Sequence, residues 1–228
     1  MKTLKSYHVL LLTFLLLFGF KSLAQEGFYL GAKFMPGISS INSKTFNDSV
    51  TVSTTIALGG GGFAGYQFNE NIATQLEVLY MATGQKYKRG TVDYHVRTNY
   101  LSIPLLLKWS TDIANPASFN VHFGPQFGFL MGTELETDDE GGGVQIEPEI
   151  SIRPQDFGIA YGVGVDFNLT EDSKLKALLG FRGINGLVDI NNQDEINPEN
   201  PGVTDQYIII EKATTSLYGI YAGMSYRF

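Results

Sequence analysis

The sequence predicts an all-β protein, an eight-stranded antiparallel up-and-down transmembrane β-barrel, and three observations support this prediction. Eight segments alternate apolar residues with small or polar ones at a period of two, as strands with two unlike faces do. The connections between these segments are alternately long and short along the chain. The 228 residues include 26 Gly, 16 Phe and 12 Tyr, while only 17% are charged. Short turns at one end and long loops at the other are the plan of an outer-membrane barrel.

The N-terminus predicts export. Two lysines come before an apolar run over residues 9–20, and the small residue Ala24 follows it. This order is typical of a secretory signal peptide, and we expect cleavage after Ala24. As a helix the run would span about 18 Å, well short of a bilayer core of roughly 30 Å. The expected domains are therefore a cleaved signal peptide, residues 1–24, and the outer-membrane β-barrel, residues 25–228.

Composition excludes several functional classes. The chain has no cysteine, so it has no disulfide framework, no lipoprotein attachment site and no thiolate ligand or nucleophile. Removing residues 1–24 takes away three lysines and no acid, which leaves 13 Lys and Arg against 23 Asp and Glu. An acidic protein lacks the basic surface that binding of nucleic acid needs. We therefore expect no nucleic-acid partner.

The eight strand-like segments can be placed in order along the chain. In the first, apolar residues at even positions alternate with Tyr29, Gly31 and Lys33. The second contains four consecutive glycines. The fifth is the clearest, because Phe119, Phe123, Phe127 and Phe129, with Val121 and Met131, alternate with small or polar residues. The segments are residues 27–35, 56–67, 71–84, 98–109, 118–131, 156–168, 174–184 and the terminal stretch 218–228.

The faces opposite the apolar ones predict a plugged lumen. An eight-stranded barrel has an interior that side chains just fill. Both signs of charge occur there, so we expect a buried network of ion pairs, with inward glycines leaving room for the longer side chains and no wide aqueous pore. The predicted polar lumen residues are Lys33, Glu77, Lys108, His122, Asp166, Arg182 and Arg227.

A soluble β-sandwich is the competing architecture. Strands of a sandwich also alternate apolar and polar residues, but their apolar faces are buried against a second sheet. A sandwich also gives no reason for long and short connections to follow one another regularly. In the barrel, by contrast, the first and last strands must pair, because lipid cannot satisfy an open sheet edge.

Four stretches, NYLSIPLLLKW, HFGPQFGFLMG, QDFGIAYGVGVDF and the terminal YGIYAGMSYRF, resemble the PorT-like outer-membrane β-barrel family of Bacteroidetes. The SLAQ sequence at the cleavage region also looks like signal peptides of that group. The resemblance covers essentially the whole mature chain. It implies an eight-stranded barrel with both termini in the periplasm and long loops outside. Founding members are associated with the type IX secretion machinery, so the resemblance adds secretion-system components as partners, but it assigns no functional residue.

The last strand carries a second resemblance. Tyr221, Gly223, Tyr226 and Phe228 are similar in spacing to the C-terminal signal read by the barrel assembly machinery. A plain final strand with interfacial aromatic residues would give the same pattern, and the two interpretations are compatible. We expect this machinery to be a partner during biogenesis.

Gly60, Gly62 and Gly65 match the spacing of a dinucleotide-binding loop. That loop needs a following helix whose N-terminus holds the pyrophosphate. Here a polar turn and another alternating strand follow, so we interpret the glycines as sites of strand coiling or close packing. The sequence predicts no cofactor.

His95 lies near Asp93 and Arg97 in what the sequence predicts to be an outer loop. A single histidine beside an acid is common by chance, and no second catalytic group accompanies it. We expect that the protein is not an enzyme.

An acidic stretch follows the fifth segment. Its oxygen-rich side chains lack the ligand order of a dedicated calcium loop, so we expect a solvated acidic loop and no metal site, with Ca²⁺ binding as the alternative. Its charge would also interact with divalent ions that bridge lipopolysaccharide. The acids are Glu134, Glu136, Asp138, Asp139, Glu140, Glu147 and Glu149.

Together these features predict a structural or interaction protein whose external loops contact partners, outer-membrane lipid or lipopolysaccharide. The alternative is a transport module for small solutes or hydrophobic ligands. A plugged lumen argues against that alternative.

Overall fold

Nine strands pair into a single antiparallel sheet in the computed structural model, which describes residues 27–45, 51–89, 92–111, 115–139, 153–190 and 210–228. No helix in these ranges is long and apolar enough to cross a membrane. The strands are β1 (Phe28–Thr45), β2 (Thr51–Ser53), β3 (Thr55–Gln67), β4 (Ile72–Arg89), β5 (Val92–Ser110), β6 (Ala117–Asp139), β7 (Gln155–Asn168), β8 (Leu175–Gly186) and β9 (Ile210–Arg227).

The sheet closes on itself. β1 pairs with β3 on one side and with β9 on the other, and β4 pairs with both β3 and β5. The short β2 also pairs with β4, beyond the end of β3, so β2 and β3 together form one wall. The result is a closed eight-stranded antiparallel barrel, as predicted from the sequence. Closure gives each of the eight walls two neighbours, which the lipid environment requires.

The strands are longer than the sequence predicted. Residues 85–97, predicted as a loop, instead extend β4 and β5, which pair as far as Arg89 and Val92 and are joined by residues 90–91. The expected alternation of long and short connections is therefore wrong at this position. Residues 86, 88, 89, 93 and 97 are charged, so this stretch lacks a continuous apolar face. Backbone pairing still continues, because it satisfies N–H and C=O groups.

Three short connections, residues 68–71, 111–116 and 169–174, lie at the end of the barrel that also holds both ends of the described chain. In the β3–β4 turn, Asn69 Oδ1 accepts hydrogen bonds from the backbone N–H groups of Asn71 and Ile72, both at 2.9 Å. Phe228 donates its backbone N–H to the carbonyl of Phe28 at 3.1 Å. In barrels of this kind the short turns face the periplasm.

The outer surface of the barrel is an apolar belt. Side chains that point outward from every wall are large and exposed, as lipid-facing side chains are. Examples are Leu30, Phe34, Leu58, Val78, Tyr80, Leu105, Trp109, Phe123, Phe127, Ile159, Val163, Phe181, Ile220 and Met224.

Close packing explains the inward-facing glycines of β3. A Cβ on Gly61 would lie 2.1 Å from the carbonyl oxygen of Val78, and one on Gly65 would lie 2.1 Å from Cζ of Tyr29. On the other face, a Cβ on Gly62 would have its nearest neighbour at 3.6 Å, an ordinary contact. The motif lies inside a strand and is followed by β4, so it lacks the helix of a dinucleotide-binding loop.

Candidate functional site: the barrel lumen

Glu77 is the hub of a buried ionic network inside the barrel. It is 0% exposed and lies on the inward face of β4. Lys33 Nζ donates to Glu77 Oε1 at 2.7 Å, and Gln75 Nε2 donates to the same oxygen at 2.6 Å. Arg182 adds a two-pronged contact, with Nη2 at 3.0 Å from Oε1 and Nη1 at 3.2 Å from Oε2. Both carboxylate oxygens are therefore engaged by charged donors, the stronger class of hydrogen bond.

The pair formed by Glu77 and Arg182 spans the barrel. Glu77 lies on β4 and Arg182 on β8, and four steps separate these strands in either direction around the ring of eight. They are therefore on opposite walls. Because the side chains meet at 3.0 Å, they cross the lumen between them.

The network continues from Arg182 to β6, β7 and β5. Arg182 Nε donates to His122 Nε2 at 3.0 Å, and since arginine has no acceptor, His122 is neutral there and carries its proton on Nδ1. That nitrogen lies 3.2 Å from Asn120 Oδ1, and Asn120 Nδ2 donates to Asp166 Oδ1 at 2.9 Å. Lys108 Nζ completes the chain with a 2.5 Å contact to Asp166 Oδ2.

Two aromatic rings occupy the walls that the polar chain does not reach. Lys33 Nζ lies 4.9 Å from the ring centroid of Phe63 on β3 and 4.7 Å from that of Tyr221 on β9. Arg182 lies 5.8 Å from the Tyr221 ring, close enough for a cation–π contact. A Cβ on Gly164 would lie only 2.3 Å from the Tyr221 hydroxyl, so this glycine provides the space for that ring. All eight walls thus contribute to one layer.

Removing these charges from water is costly, and their arrangement offsets the cost. Three cations, Lys33, Lys108 and Arg182, face two carboxylates, Glu77 and Asp166, and each carboxylate contacts a cation directly. A buried pair offsets desolvation only when its geometry is good and the remaining polar atoms are satisfied. Here the neutral side chains of Gln75, Asn120 and His122 supply the further hydrogen bonds to Glu77, Asp166 and Arg182, respectively.

Two small cavities lie in the described part of the lumen. One of about 10 Å³ adjoins the network and is lined by Lys33, His122 and Asp166 among others. The second, of about 50 Å³, lies further toward the outer end and is lined largely by serine, threonine and apolar residues. A single water needs about 10–15 Å³ measured in this way, so the first cavity holds at most one.

The structure brings six of the seven predicted lumen residues together. Arg227 is separate from them: it is half-buried near the end of β9, where its backbone N–H donates to the Lys174 carbonyl at 2.8 Å. Sequence reasoning did not single out Gln75 or Asn120, which link the charged groups. Both lie at positions that the period-two alternation assigns to the lumen face of β4 and β6, and this was the available signal.

The residues that resemble an assembly signal divide between the two faces of β9. Tyr221 is buried in the lumen, and a Cβ on Gly223 would lie 2.9 Å from that of Lys33, so both also serve the interior packing. Tyr226 and Phe228 point outward, with their rings edge-to-face at 5.3 Å. Sequence reasoning missed the contacts that Tyr221 makes with the charged network.

The described residues among those considered for catalysis and metal binding lie in strands rather than in loops. The backbone of His95 in β5 is paired with Lys86 and Glu136, so its predicted loop position is wrong. Glu134, Glu136, Asp138 and Asp139 are part of β6, while Glu140, Glu147 and Glu149 lie outside the described residues. Within the described part of the chain, no group of three or more His, Asp or Glu side chains is arranged to hold a metal.

Several solved structures are similar to this chain. OprG from Pseudomonas aeruginosa is similar at 15% identity and a TM-score of 0.51, over 89% of this chain and 96% of that one. Neisserial surface protein A is similar at 13% and 0.45, over 89% and 98%. Escherichia coli outer membrane protein W is similar at 16% and 0.40, also over 89% and 98%. At these identities the likeness is one of fold. A search among curated proteins found no match.

The family comparison covers nearly the whole chain. The family described as outer membrane protein beta-barrel domain matches residues 10–228, from before β1 to the last residue. That range includes every strand of the closed barrel and every member of the lumen network. The chain therefore belongs to the outer membrane protein beta-barrel domain family, and it is an outer-membrane protein.

Proposed function

We propose that this protein is a plugged outer-membrane barrel that acts through its outer rim, as a structural or interaction protein rather than as a pore or an enzyme. The observation that supports this most strongly is the contact between Glu77 and Arg182 across the full width of the lumen. A solute moving through the barrel would have to break that pair and its links to Lys33 and His122. Leaving one charge of a buried pair without its partner costs about 3–5 kcal/mol, so this pair opposes passage.

The outer rim offers the larger surface for partners. Strands β1, β4, β5, β6 and β9 each run for 18 residues or more, whereas a tilted strand needs only about 9–11 residues to cross the membrane. The additional residues of these strands lie at the end opposite the turns 68–71, 111–116 and 169–174. Partners and lipopolysaccharide would be met there.

Planar-bilayer recording of the purified protein tests the proposal. The wild-type barrel should give no sustained current. Glu77→Ala should produce current steps, because it removes the hub between opposite walls, whereas Glu70→Ala, which changes an exposed acid in the β3–β4 turn, should stay silent. Sustained ohmic current from the wild-type protein would overturn the plugged lumen and favour the transport alternative.

The finer placement in the PorT-like family of Bacteroidetes is part of the proposal. Its support is the resemblance of the β5, β6, β7 and β9 sequences, and it suggests secretion-system components as partners. A pull-down of the intact protein from outer membranes should recover such components. Recovery of the barrel without them, under conditions that preserve other membrane complexes, would remove the link to secretion and leave a surface barrel.

Cleavage of residues 1–24 is a separate part of the proposal. The order of basic, apolar and small residues supports it. N-terminal sequencing of protein taken from outer membranes should begin at Gln25. A sequence beginning at Met1 would contradict cleavage without affecting the barrel.

A further inference from the structure

The second lumen cavity is a chamber with a distinct chemistry. It has a volume of about 50 Å³ and lies between the ionic network and the outer end of the barrel. Its lining is contributed by β1, β4, β5, β6, β7, β8 and β9, and Asp156 supplies its one carboxylate. None of the described residues that line it is Lys, Arg or His. The chamber is therefore negative at its wall, while the charged layer beneath it has an excess of cations.

Four oxygen-bearing side chains of the chamber have buried atoms without a hydrogen-bond partner. They are Tyr100 and Ser102 on β5, Gln126 on β6 and Asp156 on β7. Each of these residues is at least nine-tenths buried. The unpartnered atoms are the two hydroxyl oxygens, Gln126 Oε1 and Asp156 Oδ1. Buried polar atoms are nearly always paired, so four on three adjacent strands indicate a missing occupant.

The other carboxylate oxygen fixes the orientation of Asp156. Thr215 on β9 donates its hydroxyl to Asp156 Oδ2 at 2.6 Å, which leaves Oδ1 without a partner. Two glycines lie beside the Asp156 side chain. A Cβ on Gly186 would lie 3.1 Å from Oδ1, and a Cβ on Gly128 would lie 3.3 Å from the Asp156 Cβ. Glycine at both positions keeps the space beside the carboxylate open.

From this arrangement we propose that the chamber binds a small monovalent cation, held by Asp156 Oδ1, Gln126 Oε1 and the hydroxyls of Ser102 and Tyr100. Hard cations prefer oxygen ligands, and sites for divalent ions usually supply several carboxylates. One carboxylate with three neutral oxygens balances a single positive charge. The volume is enough for an alkali cation and two or three waters, at about 10–15 Å³ for each water.

The first experiment measures cation-dependent stability of the folded barrel in detergent. Sodium, potassium and rubidium chloride replace choline chloride at constant ionic strength, and the unfolding midpoint is followed by the shift between folded and unfolded bands on unboiled gels. A ligand that binds only the folded state raises stability in a saturating way. At least one alkali cation should raise the midpoint of the wild-type protein to a plateau. Equal midpoints in choline and in all three alkali salts would overturn the proposal.

Matched variants locate the effect. Asp156→Asn keeps the size of the side chain and removes the charge, so the response should be lost. Asp172→Asn makes the same chemical change in an exposed periplasmic turn and should keep the full response. A full response in Asp156→Asn would contradict the assignment. If Asp156→Asn fails to fold, Ser102→Ala takes its place and should shift the response to higher salt.

Crystals of the wild-type protein soaked in rubidium chloride provide an independent test. An anomalous peak should lie within coordination distance of Asp156 Oδ1. A chamber without such a peak at saturating rubidium would overturn the site. This outcome is separate from that of the bilayer recordings, since the plug depends on Glu77 and Arg182.

Discussion

Replacing Glu77 with alanine is the perturbation with the largest expected effect on stability. The change removes four hydrogen bonds, one from Lys33, one from Gln75 and two from Arg182. It also leaves two cations in the lumen without their shared carboxylate, and Arg182 is only 1% exposed. Removing one partner of a buried ion pair costs about 3–5 kcal/mol. We expect the free energy of unfolding to fall by about 4 kcal/mol, close to a thousandfold in the folding equilibrium.

Urea unfolding of the barrel in lipid vesicles measures this effect. Trp109 is the only tryptophan and is half-exposed on the lipid-facing surface of β5, so its fluorescence reports the loss of the membrane-embedded state. Glu70→Ala in the exposed β3–β4 turn is the matched control, and it should stay within about 0.5 kcal/mol of wild type. A loss below about 1 kcal/mol for Glu77→Ala would refute the network as a buried, water-excluding unit.

A triple replacement separates the cost of breaking the network from its net contribution. Lys33→Met, Glu77→Leu and Arg182→Met together remove the charges and keep the approximate volume. Apolar replacement of a whole buried ionic group is often neutral or stabilising by about 1–4 kcal/mol. We expect the triple variant to be at least as stable as wild type, and far more stable than Glu77→Ala. Equal losses for the two variants would show that side-chain packing, rather than an uncompensated charge, accounts for the effect.

Three further predictions concern β3, the end of β9 and a periplasmic turn. Gly61→Ala should lower the free energy of unfolding by about 1–3 kcal/mol, because its Cβ would lie 2.1 Å from the Val78 carbonyl, whereas Gly62→Ala should be neutral or slightly stabilising in the same urea assay. Phe228→Ala should reduce the amount of protein in the outer membrane more than it lowers unfolding stability; unchanged surface levels on immunoblots would leave the assembly signal unsupported. The Thr170 hydroxyl and the Lys174 N–H donate to Asp172 and hold the pKa of its carboxyl below the usual value. The stability that Asp172 contributes is therefore complete above the usual pKa and is lost as the pH falls through the lowered pKa. In Asp172→Asn, the free energy of unfolding should fall less steeply as the solution is acidified.

The sequence was sufficient to predict the walls of the barrel within the lipid. Period-two alternation placed Leu76 and Val78 outward and Glu77 inward, and exposure in the structure agrees. The signal works there because lipid and lumen are unlike solvents on the two faces of each strand. It fails at residues 85–97, where charged residues interrupt the apolar face and backbone pairing defines β4 and β5.

The contacts between lumen side chains could not be predicted from the inward or outward position of each residue alone. The alternation along each strand predicts that Glu77 and Arg182 both point inward. Whether they meet depends on how far β4 is shifted along the barrel axis relative to β8, and the pairing register of all the intervening strands sets that shift. The same holds for Asp156 and Gln126, which face one chamber although no charge pattern links them. Tyr221 was interpreted as an assembly residue, and its contact with Lys33 became visible only with the curvature of the closed sheet.

The central claim is that Glu77 and Arg182 meet across the lumen, and solid-state NMR measures this contact directly. Protein labelled with ¹³C-glutamate and ¹⁵N-arginine is reconstituted in lipid, and ¹³C–¹⁵N dipolar dephasing is recorded for the wild-type protein and for Glu77→Gln. With Nη2 at 3.0 Å from Oε1, the wild-type protein should show strong carboxylate dephasing that the variant loses. Identical dephasing in the two proteins would contradict the bridge and, with it, the plugged barrel.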